Sequence, residues 1–123
     1  MIMNDIVQRY LAVWSEPDAD RRRDAVAGLW AADGVEYVEG TRFSGHAALV
    51  DRVAEAYQQF VAGGRYELGW AGDLTTHGDD LAVFTIQLRT GGEVAWAARV
   101  FLAVDGSNRI REDYQLTVQP LPS

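Results

Sequence analysis

Apolar residues in the first half of the chain recur at the spacing of a helix face, and in the second half at the spacing of strands. Ile6, Val7, Tyr10, Leu11 and Trp14 share one face of a helix predicted over 4–14. Asn4 or Asp5 can cap its start, and Ser15-Glu16-Pro17 ends it. A second helix is predicted after Asp18, with Ala25, Val26, Leu29 and Trp30 inward, Arg21, Arg22 and Arg23 outward, and Asp33-Gly34 closing it. Residues 35–39 read as a strand that turns at Gly40. Ser44-Gly45-His46 then opens a third helix with an inward stripe of Ala47, Leu49, Val50, Val53, Ala54, Tyr57, Phe60 and Val61, terminated by Gly63-Gly64.

Strands are predicted at 66–75, 81–90, 94–104 and 109–119, separated by short Gly/Asp turns that imply antiparallel hairpins. Helix, helix, strand, helix and a strand meander make an α+β domain over 1–123, with three N-terminal helices packed on a curved, mainly antiparallel sheet. Residues 94–104 are apolar at both parities, and Arg99 is their one charge. That pattern suits a strand covered on both faces. Either Arg99 has an acidic partner across the sheet, or it reaches a wet cavity. If Arg99 and Phe101 face a cavity, Trp96, Val100 and Leu102 form an apolar patch on the other side. A homodimer packed through that outer sheet face would cover it.

Composition removes several functions. A net charge of -7 disfavours nucleic acid as a partner, and the Arg21-Arg22-Arg23 run lies among Asp18, Asp20 and Asp24, as a solvated helix face would. Without cysteine there is no disulfide or thiolate chemistry, and His46 and His77 show no metal-ligand spacing, so no metal and no cofactor are expected. The first residues lack a basic segment followed by an apolar run. No membrane partner is therefore expected, and the expected location is cytoplasmic.

Val7-Gln8-Arg9-Tyr10, Leu29-Trp30-Ala31-Ala32-Asp33-Gly34-Val35-Glu36-Tyr37, Phe43-Ser44-Gly45-His46-Ala47-Ala48-Leu49 and Arg109-Ile110-Arg111-Glu112-Asp113-Tyr114-Gln115 carry a resemblance. Over nearly its whole length the chain resembles the nuclear transport factor 2-like (NTF2-like) superfamily. That group includes ketosteroid isomerases, SnoaL-like polyketide cyclases and limonene epoxide hydrolases. The resemblance implies a cone-shaped α+β barrel with a deep pocket between helices and sheet, and it commonly goes with dimerisation through the outer sheet face. The expected pocket wall is Trp14, Trp30, Tyr57, Phe60, Phe84, Phe101 and Gln115, suited to a small apolar molecule. Glu39 is expected exposed at a strand end and His46 in the first turn of the third helix, with the pocket mouth as the alternative for both.

The resemblance also places the chemistry. Tyr10 falls where ketosteroid isomerases carry the tyrosine that donates to the developing enolate oxygen. Tyr37 falls at their general-base aspartate, and Arg99 near their second, protonated aspartate. A phenol is a poor base at neutral pH, so steroid-type isomerisation is not expected. SnoaL-like cyclases end in a pattern near Ile-Val-Glu-His-Trp-Asp, where Gln115 here replaces the catalytic aspartate and Asp113 the histidine. Limonene epoxide hydrolases set an arginine between two aspartates. Arg99 and Asp113 would supply two of those three groups, with Phe101 where the other carboxylate belongs.

The catalytic candidates are therefore Tyr10, Tyr37, Arg99 and Asp113, with Arg99 and Asp113 expected as an ion pair from adjacent strands. A catalytic Asp113 should have its pKa raised by desolvation, whereas an Asp113 locked to Arg99 should titrate low. The expected function is a cofactor-independent isomerase, cyclase or hydrolase acting on a polyketide-, steroid- or terpenoid-like ligand. The alternative is a non-catalytic binding or dimeric interaction domain that has lost the acid/base residues.

Overall fold

Asp18 stands in extended conformation before the second helix and accepts a hydrogen bond from the Arg21 amide, which fixes that helix start. In the computed structural model, which describes residues 2–122, the helices are α1 (Ile2–Ser15), α2 (Ala19–Leu29) and α3 (Gly45–Ala56). Met1 and Ser123, the ends of the domain drawn at 1–123, lie outside the described residues. The strands are β1 (Trp30–Val38), β2 (Thr41–Ser44), β3 (Glu67–Trp70), β4 (Thr75–His77), β5 (Leu81–Thr90), β6 (Glu93–Val104) and β7 (Ile110–Gln119). They form one sheet in the order β2-β1-β7-β6-β5-β3, with β4 also on β5. The β1–β7 pair is parallel and every other pair is antiparallel, so the sheet is mixed and stays open rather than closing into a barrel.

The helices cover one face of this sheet. Ile6, Val7 and Tyr10 of α1, Val26 and Leu29 of α2, and Leu49 and Val53 of α3 pack on Phe84, Ala98, Val100, Leu102 and Ile110. Each such fully buried large side chain contributes roughly 1.5–3 kcal/mol.

Several local expectations give way to tertiary pairing. The chain leaves α2 at Leu29, and Trp30 is already extended because it pairs with Ile110 in the β1–β7 ladder. Gly34 is no helix cap. It lies at the register shift of that ladder, where a Cβ would meet the Ala31 and Ile110 carbonyls at 3.0 Å. Arg22 is buried, donating to the Glu16 carbonyl at 2.7 Å and stacking on the Tyr57 ring, while Arg23 pairs with Asp20 at the surface. The stretch expected as one strand over 66–75 breaks between β3 and β4, where Asp73 accepts from the Thr85 amide and hydroxyl. After α3 the helix widens into a π-helical turn at Tyr57–Val61, before Gly63 and Gly64, both at positive φ, end it.

The largest correction concerns β6. Val104 pairs with Ile110, but Ala103 pairs with Glu112, so Arg111 is the extra residue of a bulge in the β6–β7 hairpin. One inserted residue exchanges the two faces of a strand relative to its neighbour. Leu102, not Phe101, therefore sits opposite Asp113, and Val100 opposite Gln115. Val100 and Leu102 are buried in the core under the helices, and Trp96 packs at its margin, so these three cannot form an outer dimer face. Arg99 is exposed on the outer face between Thr85 and Leu116, and Phe101 lies half-buried there between Val83 and Tyr114.

Candidate functional site

Parallel pairing of β1 with β7 sets Glu36 directly beside Asp113 on the inner face, and both carboxyl groups are fully buried. The Tyr10 hydroxyl, from α1, donates to Asp113 Oδ2 at 2.9 Å, and Gln115 Nε2 donates to the Tyr10 oxygen at 2.7 Å. From α3, Arg52 Nε donates to Glu36 Oε1 at 2.9 Å. The Arg52 guanidinium lies 5.0 Å from the Trp14 ring and 5.4 Å from the Phe43 ring, which fixes its plane.

Two oxygens in this cluster have no donor, Asp113 Oδ1 and Glu36 Oε2. Set side by side and fully buried, the two carboxyl groups cannot both carry charge cheaply, which favours one proton between them. Burial, and then the charge of Glu36, push Asp113 well above the usual carboxylate range. Burial also raises Glu36, but Arg52 opposes that shift. Among the described residues Arg52 pairs with Glu36 and no cation pairs with Asp113, which assigns the charge to Glu36 and the proton to Asp113. Burial also raises the Tyr10 phenol, which stays protonated and serves as a donor.

Beside this cluster a cavity of about 290 Å³ opens between α3 with its π-helical turn, the end of α1 and strands β5 to β7. Its wall is largely apolar, from Trp14, Ala56, Phe60, Leu68, Ile86, Leu88 and Trp96, and its polar groups include Arg52, Gln115, Gln59 and Thr117. Exposed Glu39, held at φ 48, stands at its rim. Among the described residues no three His, Asp or Glu side chains gather in a metal-holding arrangement, and no helix is long and apolar enough to cross a membrane.

Of the wall residues expected from sequence, Trp14, Phe60 and Gln115 line the cavity. Trp30 and Phe84 are buried around Tyr10, with ring centroids 5.8 and 5.6 Å away, and they support the network rather than the cavity. Tyr57 lies under Arg22. Tyr37 and Phe101 are on the outer face, where Tyr37 stacks on Tyr114 at 4.8 Å. Tyr10 and Asp113 do meet, but the expected Arg99–Asp113 pair does not form, because the two project from opposite faces. His46 bonds the Trp30 carbonyl at 2.8 Å, and His77 is exposed on β4.

Sequence reasoning passed over Glu36 and Arg52. A signal existed for Glu36, whose parity in β1 matches Val38 rather than Tyr37. Arg52 had a weaker one, since it directly precedes the stripe residue Val53.

No protein-family model and no curated protein sequence matches the chain. Solved structures do. A proposed isomerase of the SnoaL-like family from Agrobacterium tumefaciens superimposes with a TM-score of 0.82 at 24% identity, covering 92% of this chain and 94% of that one. A proposed polyketide cyclase from Sinorhizobium meliloti gives 0.65 at 22% identity, over 94% and 98% of the two chains. An NTF2-like protein of unknown function from an Exiguobacterium species gives 0.67 at 13% identity, over 91% and 97%.

Proposed function

With the NTF2-like fold as its scaffold, we propose that this chain holds a small, mostly apolar molecule, polyketide-, steroid- or terpenoid-like, in the cavity beside Arg52 and Gln115. One observation carries this reading. The cavity wall is largely apolar with a few polar groups, while Tyr10, Tyr37, Arg99 and Asp113 all lie off it. Asp113 is sealed behind Tyr10 and Gln115, and a carboxamide does not relay a proton at useful rates. Binding without proton transfer is the function that suits this arrangement.

A second reading, a cofactor-independent isomerase, cyclase or hydrolase, draws support from the isomerase and cyclase proposed for proteins of the same fold. Under it, the Arg52 guanidinium would stabilise negative charge developing on a ligand oxygen. The raised Asp113, protonated at rest, would be an acid rather than a base.

Mass spectrometry of small molecules extracted from purified protein tests the pocket. Wild type is expected to release a molecule that the cavity-filling variant Ala56→Phe does not carry. Identical extracts from both proteins would remove the cavity from the proposal.

The same reading places a second copy of the chain on the outer sheet face. Val83, Phe101, Tyr114 and Tyr37 form one continuous row across four strands, with Leu116 beside it, 55% exposed. Arg99 lies on one side of that row and Glu112 on the other. A two-fold axis can therefore bring the arginine of each copy to the glutamate of its partner.

A further inference from the structure

The direction of the buried hydrogen bonds has a consequence for the ligand. Asp113 places its proton toward Glu36 Oε2, since neither that oxygen nor Asp113 Oδ1 has another partner. Asp113 Oδ2 is thus an acceptor, and the single Tyr10 hydrogen goes to it. The Tyr10 oxygen then needs a donor, so Gln115 must present its NH2 group there. The Gln115 carbonyl oxygen is left over. Among the described residues nothing donates to it, it is not sealed from solvent, and Gln115 lines the cavity.

Arg52 is left with the opposite kind of group. Its Nε is committed to Glu36, while its two terminal NH2 groups have no acceptor among the described residues, and Arg52 also lines the cavity. Besides Gln59 and Thr117, the cavity therefore offers the bare acceptor of Gln115 and the bare donors of Arg52 in an otherwise mostly apolar wall.

Charge decides between possible head groups. Glu36 and Arg52 cancel, and Asp113 and Tyr10 are neutral, so the buried cluster beside the cavity is already balanced. A carboxylate entering would be an uncompensated charge in apolar surroundings, and Gln115 would turn an acceptor toward it. The rim adds Glu39, and the whole chain carries -7. An uncharged hydroxyl has none of these penalties. It can donate to Gln115 and accept from Arg52.

Resting on the pocket reading above, we infer that the ligand is uncharged and carries a hydroxyl on an apolar ring system, with Gln115 accepting from that hydroxyl and Arg52 donating to it. Apolar carboxylates of the same size are excluded.

Isothermal titration calorimetry at pH 7 with 2-naphthol, 2-methoxynaphthalene and 2-naphthoate tests this on the unaltered protein. The three probes share one ring system and differ in the head group. Naphthol is expected to bind at least ten-fold tighter than the methyl ether, which cannot donate, and tighter still than the anion. In Gln115→Met the advantage of naphthol over its ether should disappear. Equal affinities for all three probes, or a preference for naphthoate, would overturn the head-group inference and leave the pocket standing. No binding by any of them would overturn the pocket and the inference together.

Discussion

The two faces of the sheet are built from the same strands, one residue out of step, yet they treat polar side chains in opposite ways. On the inner face Glu36, Asp113 and Gln115 are buried, and each is bonded through one side-chain atom to Tyr10 or Arg52. On the outer face Arg99 is exposed, and the row from Val83 to Tyr37 is mainly apolar and aromatic. Polarity alone would assign these faces the wrong way round. The difference lies in what each group can bond to. A buried carboxylate costs several kcal/mol unless it is protonated or paired, whereas a surface arginine costs almost nothing.

The sharpest way to break the inner face is to remove the cation that pairs with Glu36. Arg52→Met leaves the Glu36 charge buried and unpaired, and an expected ~3 kcal/mol of stability is lost in urea unfolding, near the low end for such pairs because Arg52 is not fully buried. Glu36→Gln in the same background should restore part of it. A loss below ~1 kcal/mol in the single variant would mean that Glu36 is already protonated.

The outer face breaks differently. Phe101→Asp places a charge in the middle of the aromatic row, and if the proposed dimer forms there, its constant from analytical ultracentrifugation should weaken by ~30-fold or more, the effect of losing an interface centre of ~2 kcal/mol. The stability of the separated chain should change much less. A wild-type chain that sediments as a monomer at every concentration would leave that face to water.

Asp113→Asn separates the network from the charges around it. Asparagine replaces a protonated aspartate with similar shape and can still donate to Glu36, so the expected cost near pH 4 is below ~1 kcal/mol. The pH dependence gives the sign. Asp113 is raised in the folded state, so its contribution is full below the ordinary aspartate value of 3.8 and is lost as pH rises through its folded pKa. Asp18 and Asp105, lowered by backbone N–H bonds, act the other way, their contributions being lost as the solution becomes acidic. The difference between wild type and Asp113→Asn isolates Asp113 and should shift in favour of the variant as pH rises. A flat difference would place the shared proton on Glu36.

How much of this was legible in the sequence follows from what each signal depends on. The starts of the second and third helices, the Gly/Asp turns between the later strands and the hairpin order depend on local chemistry, and they appear where the pattern predicts them. The first helix, by contrast, begins at Ile2, so that Asn4 and Asp5 lie inside it rather than capping it. The inward placement of Tyr10, Asp113 and Gln115 was legible too, through the resemblance. The facing of β6 was not, because its apolar residues occupy both parities and alternation cannot choose between them. The choice was made by a bulge at Arg111, and nothing in Ile110-Arg111-Glu112 marks a bulge in advance. Arg52 was hidden for a related reason. A long arginine on a helix reads as solvated until the buried carboxylate it serves is known, and here that carboxylate comes from β1, with β2 between it and the helix in the chain.

The smallest predicted effect decides most directly between the two facings of β6. Without the bulge, Arg99 would share a face with Asp113, and truncating it would strand a buried charge at a cost of ~3–5 kcal/mol. With the bulge, Arg99 is exposed between Thr85 and Leu116, and Arg99→Ala should change stability by no more than ~0.5 kcal/mol. Urea unfolding is best measured at protein concentrations low enough for the proposed dimer to dissociate, so that only the single chain is read. The comparison with Arg52→Met then sets two arginines of one protein side by side, one holding a buried glutamate and one in water. If Arg99→Ala cost as much as Arg52→Met, the bulge would be misplaced, and with it the assignment of Arg52 rather than Arg99 to the cavity.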